Sequence, residues 1–266
     1  MACINCGAEV TGNYCSSCGQ RSTVKRLSFR EGWNDFWARI YGFDGKLPRT
    51  LRDLTIQPGQ AALRFIQRNR VSYYGPVGYF FLMITLMYLV ASLLGIDMVK
   101  FLKNASDIGL QPEPEAGSGQ EQFMQATIKL VSDNLKLVSF IIVPIQAFFS
   151  RFLFFRKSKL NFIEHTVLPF YTLGHLYWIS ILSLLSYSIL GKFIPYWIQM
   201  TVGISYLCYG YSDMFRYQSR IKSFFKGLGV YFMAQLLIGL LTTIITIIVL
   251  IANPEVFEMF KPPGNR

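Results

Sequence analysis

Five long apolar stretches constrain this chain more than any other feature. They lie at 77–94, 137–155, 168–190, 193–211 and 230–251. A helix of ~20 residues crosses a hydrocarbon core of ~30 Å, and each stretch has about that length. One such run could be the buried helix of a soluble domain. Five of them within 266 residues would need more amphipathic partners than the remainder of the chain supplies. Composition points the same way, with 52% of residues hydrophobic, 16% aromatic and 15% charged, against about 25% charged in an ordinary soluble domain. The expected fold class is an all-α membrane protein, with about five transmembrane helices in a domain at 77–251, preceded by a metal-binding segment at 1–22 and amphipathic interfacial helices at 23–76.

Basic residues orient these spans. Residues 1–20 are polar, hold four cysteines and contain no apolar run of the kind a secretory signal needs. The N-terminus is therefore expected in the cytoplasm, where thiols stay reduced. With five crossings, segments 1–76, 156–167 and 212–229 share one side. Counted with Arg151, they carry 19 of the 26 Lys and Arg residues. The positive-inside rule places that side in the cytoplasm and the tail, 252–266, outside. The net charge of +11 is then a consequence of topology. It calls for the bilayer and its anionic inner-leaflet lipid as partners, and disfavours nucleic acid. The outer linker, 96–136, has a Pro-, Gly- and acid-rich middle at 111–122 that reads as flexible. Beyond it, Phe123, Ile128, Val131 and Leu135 keep helical spacing, so the second membrane helix is expected to start outside the bilayer. Gly191-Lys192 leaves room only for a tight outer hairpin between the third and fourth spans.

The one strong chemical motif is at the start. Cys3, Cys6, Cys15 and Cys18 form C-x2-C-x8-C-x2-C, with Gly7 and Gly19 after each pair. A C-x2-C turn lets two thiolates reach one ion, and the glycine permits the positive φ that such a knuckle requires. Four sulfurs make a closed tetrahedral Zn2+ site with no position left for water, hence structural rather than catalytic. Iron at the same sulfurs is the alternative. A redox dithiol would need one reactive pair, not two equivalent ones. Cys208, inside the fourth apolar run, reads as packing.

Between this motif and the first span, Ser28-x-x-Glu31 is a capping box, followed at helical spacing by Phe29, Trp33, Phe36, Trp37, Ile40 and Tyr41. A second short helix is expected from Pro48. A third follows Pro58-Gly59 through Leu63, Phe65 and Ile66, with Arg64, Arg68 and Arg70 alongside. Aromatic faces with interleaved arginines suit the headgroup boundary. Trp33, Trp37, Arg64, Arg68 and Arg70 are the expected lipid contacts, although the same faces would also suit packing on the membrane domain. Three features together resemble an uncharacterised bacterial family of zinc-ribbon polytopic membrane proteins, domain of unknown function family 3667. They are the C-x-N-C-G…Y-C-x-x-C-G-Q start from Cys3 to Gln20, Arg49-Thr50-Leu51-Arg52-Asp53-Leu54 with Pro58-Gly59, and Tyr73…Pro76…Tyr79-Phe80. The resemblance covers residues 1 to about 90. Arg68-Asn69-Arg70 stands where the family pattern has Gly-x-Arg. It implies this architecture and a multi-pass protein of the bacterial cytoplasmic membrane, and supplies no activity.

Polar groups inside a bilayer are costly and are functional candidates by default. His175 in the third span, Gln146 two residues after Pro144 in the second, and Gln199 in the fourth form the candidate intramembrane polar set. His165 is expected in an inner loop beside Glu164. No H-E-x-x-H, G-x-S-x-G, P-loop or intramembrane carboxylate pair occurs, so no catalytic residue is assigned. The leading expectation is a non-enzymatic protein whose zinc ribbon docks a cytoplasmic protein partner or regulates the envelope. The second is a small-solute or lipid transporter or channel with a hydrated cavity lined by Gln146, His175, Tyr177 and Gln199. An intramembrane enzyme ranks last. Five spans allow an inverted repeat only if two copies pair as a homo-oligomer.

Overall fold

The computed structural model describes residues 2–3, 5–19, 46–67, 72–106 and 119–252. The chain divides into two units, Met1–Gly45 and Lys46–Arg266. In the first, the backbone of Ala2 bridges Glu9 in antiparallel sense, and Cys3, Val10 and Cys15 form a small core with Ala8 beside it.

The second unit is helical. In chain order it contains α1 (Lys46–Ile56), α2 (Pro58–Ile66), α3 (Pro76–Leu93), α4 (Met98–Ser106), α5 (Gly119–Asp133), α6 (Leu135–Phe149) running into a π-helical turn (Ser150–Phe154), α7 (Phe162–Leu190), α8 (Tyr196–Met214) and α9 (Arg220–Ala252). Among the described residues, four segments are long and apolar enough to cross a membrane: Pro76–Leu93, Leu135–Phe154, Phe162–Leu190 and Arg220–Ile248. The fourth apolar stretch of the sequence is also a helix, α8, but Gln199, Thr201, Ser205, Ser212 and Asp213 hold its hydropathy below that of the other four. On α9, Phe232, Leu236, Leu240, Ile244, Ile248 and Ile251 are all more than half exposed. A contiguous apolar surface of that extent belongs in lipid. This is an all-α membrane protein.

The helix boundaries have local causes. Pro76 opens α3 at a position where its missing N–H is no loss. Asn161 caps α7: its side chain accepts from Glu164 N at 2.9 Å while Glu164 Oε2 accepts from Asn161 N at 2.7 Å. That box starts α7 at Phe162, ahead of the apolar run, and corrects the expected loop position of His165, which lies within the helix. Gly191 ends α7 in the left-handed conformation (φ 68°), making the tight hairpin into α8. The linker carries α4 and α5, and α5 supplies the expected helical spacing ahead of the second span; most of 111–122 lies outside the described residues.

Helix α7 is central. It packs against α3, α6 and α8, and α8 in turn packs against α9. Gly174 allows α3 to come so close that a Cβ there would lie 3.1 Å from Phe80 Cα, and Gly227 does the same for α9 against Cys208 Cα at 3.1 Å. From Gln199 beside Ser183 to Gly210 beside Leu168, α8 runs antiparallel along α7. The α1–α2 hairpin packs on α7 and α8. Its approach is closest at Gly59, where a Cβ would fall 2.2 Å from Met214 N and 2.4 Å from Gly210 O.

Candidate metal centre and intramembrane polar groups

The four cysteines of the first unit converge. Their Sγ atoms all lie within 4.8 Å of one another, with Cys3–Cys18 at 3.6 Å and Cys6–Cys15 at 3.5 Å. A tetrahedral metal with arms of ~2.3 Å needs sulfur–sulfur edges of about 3.8 Å, so the donor set fits a four-coordinate thiophilic ion. The two halves are built alike. Gly7 N donates to Cys3 O and Gly19 N to Cys15 O, each at 2.9 Å, and the two glycines have φ of 73° and 72°. Each knuckle turns its backbone N–H groups toward its first sulfur. The N–H groups of Cys6 and Asn5 draw the Cys3 thiol down to about 6, and those of Cys18 and Ser17 lower Cys15. The Ala8 N–H lowers Cys6 too, but sulfur contacts with Cys18, Cys15 and Cys3 push it up to about 12. Thiolates form readily at Cys3 and Cys15 while Cys6 resists, and a bound cation relieves that repulsion.

In the second unit, the α1–α2 turn is held by side chains from the membrane helices. Tyr206 donates to Leu54 O and Tyr209 to Ile56 O, each at 2.8 Å, so two tyrosines of α8 satisfy carbonyls at the end of α1. Asp213 Oδ2 accepts from Gln60 N at 2.8 Å in the first turn of α2, and Gln60 Nε2 donates to Asp213 O at 2.5 Å. Arg216 pairs with the same carboxylate. In the hairpin, Asp53 pairs with Arg64 at 3.2 Å, and it accepts from Tyr73 Oη, on the approach to α3, at 2.5 Å. Arg64 thus pairs within the hairpin while its side chain stays 46% exposed. Trp33, Trp37, Arg68 and Arg70 lie outside the described residues.

His175 belongs to this docking site. Its Nε2 is 3.2 Å from Thr55 Oγ1, whose hydroxyl already donates to Leu51 O at 2.9 Å, so Nε2 is the donor. Nδ1 then accepts from Tyr79 Oη at 2.8 Å. The ring stacks on Tyr206, centroids 5.4 Å apart. A neutral imidazole with both nitrogens satisfied ties α1, α3 and α8 to α7.

Gln146 and Gln199 lie elsewhere. They line a partly open cavity of about 230 Å³ among α6, α7, α8 and α9, which His175 does not reach. The sequence reading singled out neither Thr55 nor the hairpin-capping tyrosines. His165, expected in a loop, is 2% exposed and bridges Ser150 and Ser158 at 2.8 Å each. The Asn161-x-x-Glu164 box was the available signal for His165.

Fold and cysteine geometry together define the class: a helical integral membrane protein with a four-cysteine cluster near its N-terminal end. Residues 44–88 match the model of a family described as Protein of unknown function (DUF3667), the family that the sequence motifs resemble. The matched stretch covers α1, α2 and α3 as far as Tyr88, the hairpin and its landing on the bundle. No curated protein and no solved structure matches the chain.

Proposed function

We propose that this chain is a non-enzymatic protein of the bacterial cytoplasmic membrane whose N-terminal cysteines hold a structural Zn2+ and form a cytoplasmic docking module for a protein partner. The observation that carries the reading is the closed sulfur set. When bound, zinc would supply folding energy to a segment with a core of only a few side chains; four thiolates fill its coordination and leave no site for substrate. Cys3 and Cys15 would be its buried ligands, Cys6 and Cys18 its exposed ones. The surplus of basic residues before the first span supports a cytoplasmic location and contact with anionic lipid.

The experiment compares the wild-type chain with a variant carrying serine at all four cysteine positions, in native membranes. Elemental analysis should find stoichiometric zinc in the wild type and none in the variant. Mild crosslinking and capture should recover a partner with the wild type only. An unchanged set of captured proteins would reject the docking role, and iron in place of zinc would reject the metal assignment.

A further inference from the structure

The cavity among α6, α7, α8 and α9 is lined from the middle of α6, α7 and α9 and from Tyr196 to Leu207 on α8, at the depth of the apolar segments. Its polar lining comes from all four: Gln146 on α6, Thr172 and Ser180 on α7, Gln199 on α8, and Tyr231 and Gln235 on α9. Three carboxamides on three helices facing one space are costly at that depth unless something there bonds them. Gln199 is occupied, donating to Ile194 O at 2.8 Å and to Ser183 Oγ at 3.3 Å. Gln146 is 8% exposed, lines the cavity, and has no hydrogen-bond partner among the described residues. Its amide faces the cavity, where an occupant able to both donate and accept would bond it.

We infer that this cavity is a binding site for an uncharged ligand bearing hydroxyl and ester or carbonyl groups, with Gln146 as its principal contact. The charge follows from the lining, which among the described residues holds no ionisable acid, lysine, arginine or histidine. The polarity follows from amides and hydroxyls that offer donors and acceptors together. The size follows from the volume of about 230 Å³, equal to roughly seven or eight waters at ~30 Å³ each. That admits a glycerol-sized polar group and not a whole lipid. The rest of the wall, including Leu176, Met200 and Ile204, suits methylene groups. The same chemistry is offered by the glycerol-ester region of a neutral lipid entering from the bilayer and by a free polyol.

The test uses the full chain in detergent and reads its melting temperature against increasing 1,2-dioctanoylglycerol, glycerol, or dioctanoyl phosphatidic acid as the charged control. A saturable rise with dioctanoylglycerol alone supports the site and assigns the lipid source. A rise with glycerol as well supports the site and assigns a free polyol. Gln146→Met, close in shape and without the amide, should weaken the apparent affinity about tenfold, and Ser180→Leu, which fills the space, should abolish the rise even if the first variant does not fold. No rise with either neutral probe, a rise equal in wild type and Ser180→Leu, or a preference for the charged control would overturn the inference.

Discussion

Asp213 is 4% exposed at the end of α8, and a carboxylate so placed persists only if its partners replace water. Gln60 N and Arg216 do this, although Arg216 is 43% exposed and its share is correspondingly screened. Asp213→Ala would leave the Gln60 N–H unpaired and release α2. The expected cost is about 1–3 kcal/mol, read as a lower melting temperature in detergent, with Arg216→Ala costing less. The cysteines carry a pH prediction. The Cys3 pKa is depressed to about 6, so its contribution is fully present above the unfolded thiol range and is lost as pH falls through about 6. Protons then compete with metal for the sulfurs. Metal release followed by a chelating dye should therefore rise as pH is lowered through that value, and a release profile flat down to pH ~4 would show that these thiols do not hold the ion.

At the scale of elements, the α1–α2 hairpin is the part whose packing tolerates least. A methyl at Gly59 would fall 2.2 Å from the Met214 backbone nitrogen, where no rotamer change can relieve it. Gly59→Ala should cost about 3 kcal/mol or more, whereas Gly174→Ala, with its nearest contact at 3.0 Å to a tyrosine ring, should cost less. Comparing the melting temperatures of the two variants checks the ranking. This hairpin also marks where the sequence stops being legible. The membrane helices could be read because each announces itself in one local apolar run. Their ends could not, since backbone hydrogen bonding continues past the apolar residues. The Asn161 cap starts α7 at Phe162, and Arg220, Lys222 and Lys226 lie within α9 although its apolar run begins at 230. The cysteine cluster was legible because its spacing is itself the geometry. The docking of the α1–α2 turn was not, because Gln60 meets Asp213 across 153 positions and Leu54 meets Tyr206 across 152. No periodicity encodes such a pair, and His175, visible as a polar residue in an apolar run, gave no sign of which helices it would join.

For the whole molecule, the open quantity is how many times the chain crosses the bilayer, and α8 decides it. Hydropathy alone gives four spans and would put both ends of the membrane domain on one side. Packing argues for a fifth. α8 lies antiparallel to α7 from Ser183 to Leu168, and α9 packs along it, with Gly227 against Cys208. With 19 residues it is ~28 Å long at 1.5 Å per residue, enough for the hydrocarbon core. Several of its polar residues are satisfied by the protein: Ser212 and Asp213 are buried, Gln199 is bonded to the α7–α8 connection, and Thr201, exposed like Ser205, turns its hydroxyl back to Trp197 O. A helix screened on two sides can be less apolar than one facing lipid, which is why a window average undervalues it. Reporters inserted after Lys192 and after Tyr217 should therefore appear on opposite sides of the membrane, with the Tyr217 site cytoplasmic beside Arg216, Arg220 and Lys222. Should both report from the same side, α8 would not cross, and the tail would lie on the same side as residues preceding α3.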